Sequence, residues 1–298
     1  MSLIANHSTL IASSDQAASL RRMIGQHHKR SVAIVGGSST GITSLSINLA
    51  SALAITGSQT LLIDENQGEN SAIARLQLRR RFVFEHALTR VTRLHELTLK
   101  APAGLAVMPF FIPAHLLNDV PISRQQQLAE EFDGLTHGLD WIIIDAYPIS
   151  HEKASGLALV ADEVIVAISP SNTSITDAYA TIKRLHLDFG RRQFWILANR
   201  ARTLEAAQAL FARVGEVAKR YLHVKIRLMG FVPEDDYLAR ANHLGQAVLN
   251  AFPQAEASIA CKQLSSVMLK WPFSADSIDR ANLLYRVIDV SRRLTATK

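Results

Sequence analysis

Short apolar runs alternate along the chain with longer segments of helical periodicity. The runs are rich in β-branched residues and predict strands at Val32–Val35, Thr60–Ile63, Leu105–Met108, Trp141–Asp145, Glu163–Ile168, Phe194–Asn199 and Arg227–Phe231. Between them lie segments rich in Ala, Leu and charged residues, for example Ser44–Ala54 and Glu205–Tyr221. Apolar strands separated by segments of crossover length are typical of a mostly parallel, twisted sheet with helices on both faces. The pattern therefore predicts one α/β domain.

Short helical appendages flank this domain. Residues 13–25 predict a helix that begins with capping-box spacing at Ser13 and Gln16 and ends at Gly25. The last segment predicts an amphipathic helix with basic residues opposite an apolar stripe of Leu283, Val287, Val290 and Leu294. Three interpretations of this helix stay open: it packs onto the domain, lies on an anionic membrane, or contacts a partner protein. We divide the chain into an N-terminal docking helix and linker (1–29), the α/β domain (30–270) and a C-terminal amphipathic tail (271–298).

The composition excludes several classes of protein. With 48% hydrophobic and 19% charged residues among 298, the chain is not expected to be disordered. A single cysteine, Cys261, excludes internal disulfides and Cys-cluster metal sites and is typical of a reducing compartment. The N-terminus lacks the features of a signal peptide, and no apolar run approaches the roughly 20 residues that cross a bilayer. We therefore expect a cytoplasmic protein.

The charge balance is moderately basic. The 32 Lys and Arg residues outnumber the 26 Asp and Glu residues, which gives a net charge of +6. Such an excess permits nucleic acid or an anionic membrane as a partner, but a solvated basic surface is the favoured interpretation. The cluster Arg79–Arg81 is interpreted likewise as a solvated helix face, and no interleaved aromatic residues indicate single-strand binding. We therefore do not expect nucleic acid among the partners.

The clearest chemical motif follows the first predicted strand. Residues 36–43 match the phosphate-binding loop G-x-x-x-x-G-K-[ST] between a strand and a helix, except that Ile42 occupies the lysine position. The glycines let backbone N–H groups surround a phosphate, and the helix N-terminus adds partial positive charge. Thr43 keeps the hydroxyl that would bind Mg²⁺, but Ile42 removes a charged hydrogen bond worth about 1.5–3 kcal/mol. We therefore expect nucleotide binding to be weak or absent.

The same loop also spells the nucleophile-elbow pattern of hydrolases. The pentapeptide Gly37–Gly41 matches G-x-S-x-G, and Asp145 and His243 follow in the order that a catalytic triad would need. The elbow normally follows several strands, however, and here it follows the first. The hydrolase is therefore the weaker interpretation of this loop.

Three further segments carry a family resemblance: the D-Q-A-x-x-L-R segment at Asp15–Arg21, the block from Ala161 through Pro170 to Tyr179, and the block Gly230–Asp235. With the loop, they resemble the MinD/ParA deviant-Walker ATPases and, among these, the FlhG/FleN regulators of flagellar number. The resemblance extends over nearly the whole chain. It implies a P-loop NTPase fold, ATP or ADP with Mg²⁺ as cofactor, and a membrane-binding tail that would place the protein peripherally at the inner membrane.

The resemblance also implies partners and the residues that contact them. Members of the family act through the FlhF GTPase, a flagellar transcriptional activator and flagellar switch proteins. The segment that would stimulate an FlhF-like GTPase consists of Asp15, Gln16, Ala17, Leu20 and Arg21. Thr43 and Asp145 would hold Mg²⁺, and Asn199 and Pro233 would lie on the adenine side. The full nucleotide-binding set implied is Gly36, Gly37, Ser38, Ser39, Thr40, Gly41, Ile42, Thr43, Asp64, Asp145, Asn199 and Pro233.

The chain departs from the family pattern at four functional positions. The lysine that reaches across the family's dimer is Gly37, the phosphate lysine is Ile42, the aspartate that positions water is Asn66, and the switch glycine is replaced within Ala146–Ile149. Phosphoryl transfer depends on positioning and charge neutralisation, which these residues would supply. The sequence therefore predicts a regulatory pseudo-ATPase scaffold, present as a monomer or weak homodimer. The alternatives are an active ATPase in which an arginine replaces the lysines, and a ParA-like DNA-associated protein.

Overall fold

The fold is taken from a computed structural model that describes residues 29–37, 39–111, 120–147, 156–271 and 283–296, with side chains described up to residue 290. Neither the helix expected at 13–25 nor the docking residues Asp15–Arg21 fall within these ranges, and Ser38 also lies outside them. No helix in the described ranges is long and apolar enough to cross a membrane.

A mostly parallel eight-stranded sheet forms the centre of the molecule. Its strands are β1 (Arg30–Gly36), β2 (Thr60–Asp64), β3 (Leu99–Lys100), β4 (Ala106–Pro109), β5 (Trp141–Asp145), β6 (Glu163–Ile168), β7 (Gln193–Asn199) and β8 (Lys225–Val232). They are arranged in the order β3-β4-β2-β5-β1-β6-β7-β8, and only the β3–β4 pair is antiparallel. All the strands expected from the apolar runs are confirmed. The two-residue edge strand β3 was not expected.

Helices cover both faces of the sheet, as the apolar strands predict. In chain order they are α1 (Ile42–Ile55), α2 (Ala72–Arg75), α3 (Phe84–Leu88), α4 (Ile122–Thr136), α5 (Gly156–Val160), α6 (Asn172–Leu187), α7 (Leu204–Tyr221), α8 (Asp236–His243), α9 (Val248–Ala251), α10 (Glu256–Leu269) and α11 (Leu283–Ala296). Single 3₁₀ turns occur at Gly68–Asn70, Leu94–Leu97 and Pro102–Gly104.

Strand side chains alternate between two apolar layers, because successive residues of a strand point to opposite faces. In β1, Ala33 and Val35 join the layer beneath α4 to α7, whereas Val32 and Ile34 join the layer beneath α1 and α10. These four side chains are at most 2% exposed. The central strands are thus buried on both faces, as expected of a parallel sheet between helices.

The C-terminal helix packs onto the domain. Its side chains at Leu283, Leu284, Val287 and Ile288 are at most 4% exposed and belong to the layer that also contains α4 and α5. Arg286 forms an ion pair with Asp162 at 3.3 Å. Of the three interpretations of this helix, the first is therefore correct for residues 283–288, which pack onto the domain. The membrane interpretation is corrected for these residues, because the apolar side chains that would enter a lipid surface already contact the protein core.

The structure also corrects the interpretation of the arginine cluster. Arg79, Arg80 and Arg81 are exposed, as expected, but they follow the end of α2 in a segment with no helical structure. The helix ends early because Gln77 adopts a positive φ of 51°, a left-handed conformation that interrupts a right-handed helix.

Candidate functional site

The predicted site residues gather at one edge of the sheet, where the parallel strands end. Gly36 is the last residue of β1, Asp64 the last of β2, Asp145 the last of β5 and Asn199 the last of β7. Asp64 and Asp145 are register partners on adjacent strands. Open α/β sheets bind ligands at the carboxyl ends of their strands. The topology therefore brings together residues that are up to 163 positions apart in the chain.

The phosphate loop keeps the compact backbone of its type. The Thr40 amide and hydroxyl both donate to the Gly37 carbonyl, at 3.1 Å and 2.7 Å, which closes the loop on itself. Gly41 has a φ of 79° immediately before α1, a conformation that favours glycine. A side chain at Gly36 would lie 2.8 Å from the Ala167 carbonyl. The glycines are thus required by the shape of the loop, and α1 begins directly behind it.

An acidic side chain occupies the space that a residue larger than glycine would need at position 37. A Cβ atom at Gly37 would lie 2.2 Å from the Asp177 carboxylate, which projects from α6. Gly37 is buried and Asp177 is partly buried. The position that carries a lysine in the related pattern therefore carries a carboxylate from a neighbouring helix, which reverses the sign of the charge at this end of the loop.

Ile42 does not face the phosphate position. Its side chain is 7% exposed and lies in the apolar layer beneath α1 and α10. The loop lacks a cation at this position because the side chain has become part of the core.

Two buried carboxyl groups form the acidic centre of the site. Asp145 is fully buried, and its carboxyl accepts hydrogen bonds from Ser46 Oγ and Asn66 Nδ2 at 3.0 Å each and from the Thr43 side chain. Burial, reinforced by the charge of Asp64, raises the pKa of Asp145 to about 7. Burial likewise raises the pKa of Asp64 to about 6, against hydrogen bonds from the backbone amides of Ile73 and Asn66.

Asn66 is turned inward and holds the acid pair together. Its Nδ2 donates to the carboxylate and to the backbone carbonyl of Asp145, at 3.0 Å and 3.1 Å, while its backbone amide donates to Asp64. An aspartate in this position would add a third carboxyl facing the first, with no proton to donate. Asn66 therefore has a structural role and is not placed to orient a water molecule.

Two arginines that the sequence patterns did not identify lie at the loop. Arg75 Nη1 donates to Ser44 Oγ at 2.8 Å in the first turn of α1. Arg200 has a φ of 57°, and its Nη2 would lie 3.8 Å from a Cβ atom at Gly41. Gln77, Arg90 and Ala103 also have a positive φ, so this conformation alone does not single out Arg200. Its position beside Gly41 identifies it, and that position depends on the folded chain and on no local sequence pattern.

The remaining predicted residues lie in the loop, in the first turn of α1 or at the ends of β7 and β8. Asn199 is 4% exposed, and its Nδ2 donates to the Thr40 carbonyl at 2.7 Å, so its amide supports the loop from the end of β7. Pro233 is buried directly after β8. Ser39 is exposed at the surface of the loop and Thr43 is 7% exposed. The adenine-side role of Asn199 and Pro233 stays a prediction.

The alternative catalytic triad is not assembled. Apart from its backbone contacts, Asp145 has Thr43, Ser46 and Asn66 as its hydrogen-bonding neighbours. A triad requires the carboxylate to orient a histidine. The described hydrogen bond at His243 involves only its backbone carbonyl, which accepts from Gln77. The hydrolase interpretation is therefore wrong.

The acidic centre and the phosphate loop differ in how well they fit a magnesium–nucleotide ligand. The oxygen atoms of Thr43, Asp64 and Asp145 form a hard-oxygen donor set of the kind that Mg²⁺ prefers, and burial raises the pKa of both carboxyls. The phosphate side keeps its backbone shape but has the Asp177 carboxylate at Gly37 and no lysine. The residues fit a divalent cation better than a polyphosphate. When bound, Mg²⁺ would neutralise the acid pair.

Comparison with known proteins places this geometry in a family. The antiactivator FleN of Pseudomonas aeruginosa is 29% identical over 258 residues, which cover 86% of this chain and 92% of FleN. The flagellum site-determining protein YlxH of Helicobacter pylori is 22% identical over 211 residues, which cover 70% of this chain and 71% of YlxH.

A solved structure and a protein-family model are also similar to this chain. The septum site-determining protein MinD from Pyrococcus horikoshii, complexed with Mg-ADP, superposes with a TM-score of 0.62 at 18% identity, covering 81% of this chain and 96% of that one. Residues 33–192, more than half of the chain, match the AAA domain family. The chain therefore belongs to the AAA domain family, and it is similar in sequence to FleN and in fold to MinD.

Proposed function

We propose that the protein regulates flagellar number or placement as a scaffold without significant ATP turnover. The flagellar part of the proposal is supported by the similarity to the antiactivator FleN and the flagellum site-determining protein YlxH. The observation that carries the second part is the inward-facing amide of Asn66, which donates to the carboxylate of Asp145 where hydrolysis would require an acceptor for water. The cation-poor loop around Gly37 supports the same conclusion.

A steady-state phosphate-release assay with Mg-ATP tests the absence of turnover. We expect a rate at background, because positioning and charge neutralisation supply most of the acceleration of phosphoryl transfer. Calorimetric titration with ATP and ADP is expected to show weak or absent binding. The proposal is wrong if the protein shows Mg²⁺-dependent turnover that disappears in Asp145→Ala. Light scattering is expected to show a monomer or weak homodimer whose mass does not double with ATP.

The scaffold would act through the segment Asp15–Arg21 on an FlhF-like GTPase. The support for this partner is the D-Q-A-x-x-L-R pattern itself, since a short amphipathic helix can bind a groove through a few anchors. We expect the purified protein to raise GTP hydrolysis by its FlhF homologue, and Gln16→Ala or Leu20→Ala to abolish the increase. Ser19→Ala, in the same segment, is the matched control. No stimulation by the unaltered protein would remove the docking role.

The same scaffold would work in the cytoplasm, at the inner side of the membrane where flagella assemble, with a flagellar transcriptional activator or switch proteins as further partners. The name antiactivator, borne by the similar FleN protein, supports a protein target in transcription. Residues 283–288 are packed in the core, so any membrane contact would involve other parts of the chain. Co-sedimentation with anionic vesicles tests this: we expect any binding to persist in Leu284→Ala, whereas loss of binding in this variant would indicate that the apolar face of the helix leaves the domain and enters the lipid.

A working ATPase is the second candidate, and the position of Arg200 favours it. The Arg200 guanidinium lies over Gly41 in a strained backbone conformation, and Arg75 reaches the first turn of α1. An arginine is a strong ligand for phosphate because its planar guanidinium donates two parallel hydrogen bonds. If these residues replace the lysines, Arg200→Gln and Arg75→Gln should each remove measurable turnover. The exposed Arg79→Gln is the control of equal charge.

A further inference from the structure

A cavity of about 450 Å³ lies at the opposite edge of the sheet from the phosphate loop. It is lined by the first residues of β6, β7 and β8, by the turn before β7, and by Trp271 after α10. Its Glu163 begins the strand whose Ala167 pairs with Gly36. At about 3.3 Å per residue, the cavity and the loop are roughly 13 Å apart along this strand. The cavity is therefore a separate site, of a size that suits a small organic molecule.

The acidic residues of the cavity are already satisfied within the protein. The carboxylate of Asp162 accepts from the amide and hydroxyl of Ser31, at 2.8 Å and 2.7 Å, and pairs with Arg286. Glu163 accepts from Trp195 Nε1 at 3.1 Å, and burial raises the pKa of its carboxyl. Both carboxyls are therefore engaged by groups of the protein itself.

The cationic residues at the rim are in the opposite situation. Within the described ranges, the side chains of Arg192 and Lys225 form no hydrogen bond or ion pair, and the Arg227 guanidinium contacts only the Trp195 ring, 5.4 Å from its centroid. Lys225 and Arg227 are two residues apart on β8 and so share one face of the strand. Three unpaired positive charges therefore border one cavity whose negative charges are engaged.

An aromatic wall adjoins these cations. Trp195 and Trp271 are stacked with their ring centroids 4.5 Å apart and nearly parallel, and Phe189 also lines the cavity. Arg191 also lines the cavity, but its guanidinium is engaged because it donates to the backbone carbonyls of Ala161 and Asp162. The cavity thus has aromatic side chains on one side and long cationic side chains at its rim. That combination suits a ligand with an anionic group at one end and a ring at the other.

We propose that this cavity binds a small phosphorylated molecule with an aromatic or other apolar ring, whose phosphate contacts Arg192, Lys225 and Arg227. The proposal is independent of nucleotide binding at the phosphate loop and of the scaffold function. Guanidinium groups recognise phosphate through paired charged hydrogen bonds, and each such bond contributes substantially to affinity.

Phenyl phosphate is the probe, with inorganic phosphate and phenol as its separate halves. Titration of the full chain by calorimetry, with tryptophan fluorescence in parallel, is expected to show one site for phenyl phosphate and a fluorescence change from Trp195. Arg192→Gln and Arg227→Gln are each expected to weaken binding about tenfold, the loss of one charged hydrogen bond. Both residues are exposed, so the variants should fold, which circular dichroism verifies. Lys219→Gln, an exposed residue of α7, is the matched control.

Binding that weakens in both arginine variants and with added salt, but not in Lys219→Gln, supports the proposal. No binding of phenyl phosphate by the unaltered chain overturns it, as does binding that the arginine variants leave unchanged. Equal affinity for inorganic phosphate overturns the part that assigns the ring to the aromatic wall.

Discussion

Replacing Asp145 with asparagine is expected to stabilise the protein at neutral pH when divalent cations are removed. The Asp145 carboxyl is fully buried and faces Asp64, and burial, then the neighbouring charge, raises its pKa from an ordinary 3.8 to about 7. A carboxyl whose pKa is higher in the folded than in the unfolded state binds its proton more tightly when folded. Stability is therefore retained at low pH and falls as the pH rises from about 4 to 7.

The magnitude follows from this interval and from the hydrogen bonds of the site. An interval of about 3 pH units corresponds to about 4 kcal/mol at 1.36 kcal/mol per unit. Asparagine carries no charge to desolvate. Its oxygen can accept from Asn66, and its amide can donate to Ser46 Oγ, which already donates to the Ile42 carbonyl. With about 1 kcal/mol lost to weaker hydrogen bonds, the net gain is about 3 kcal/mol at pH 8, equivalent to roughly 5 °C in Tm for a chain of 298 residues.

Thermal and urea unfolding in EDTA at pH 5, 7 and 8 measures this effect. The gain should be nearly as large at pH 7 as at pH 8, because most of the interval between the unfolded and folded pKa values lies below pH 7, and it should fall to about 1 kcal/mol or less at pH 5. Asp236→Asn, an exposed substitution at the start of α8, should change stability by less than about 0.5 kcal/mol at every pH. If Asp145→Asn destabilises the protein equally at pH 5 and pH 8, the buried carboxylate is not a source of instability and the reasoning is refuted.

Three other substitutions test separate parts of the structure. Asn66→Asp should lower stability in EDTA by about 2–4 kcal/mol at pH 8 and by much less at pH 5, since it adds a carboxyl to the acid pair; a loss independent of pH would contradict this. Leu284→Ala should cost about 2–5 kcal/mol in urea unfolding and the half-exposed Tyr285→Ala far less, whereas equal effects would mean that α11 is not packed as described. Gly37→Ala should destabilise the protein by about 1–3 kcal/mol, and adding Asp177→Ala should recover most of this loss. Additive effects of the two substitutions in a double-mutant cycle would exclude the contact between position 37 and Asp177.

The sheet could be predicted from the sequence because its signal is local. Strands such as Trp141–Asp145 and Glu163–Ile168 are continuous apolar runs, and their observed bounds match the runs residue by residue. Edge strand β3 has only two residues, Leu99 and Lys100, of which one is exposed, so it carries no periodic pattern. The packing of α11 could not be settled either, because the same apolar stripe suits a protein core or a lipid surface.

The sequence could predict which residues form the candidate site, but not how their side chains are oriented. Strand ends and the loop pattern identify Gly36, Asp64 and Asp145, since parallel strands bring their carboxyl ends to one edge. The orientation of Ile42 into the core, the approach of Asp177 to Gly37 and the backbone conformation of Arg200 depend on contacts between distant segments. No local pattern encodes such contacts, and these are the features that determine the charge of the site.

The charges at the strand ends favour a cation over a polyphosphate. In the part of the chain that the structure describes, Asp64 and Asp145 are buried and form no ion pair, and Asp177 adds negative charge at the loop, whereas the nearby positive charges are arginines at the edge of the site. Two carboxylates in a low-dielectric surrounding repel each other until a cation or a proton neutralises one of them. Mg²⁺ alone should therefore raise the Tm of the unaltered protein at pH 8 and have little effect on Asp145→Asn, and ATP added afterwards should contribute little more. If ATP stabilises the protein strongly while Mg²⁺ alone does not, the loop supplies the positive charge, and the assignment of this site as a cation-binding remnant of an ATPase is wrong.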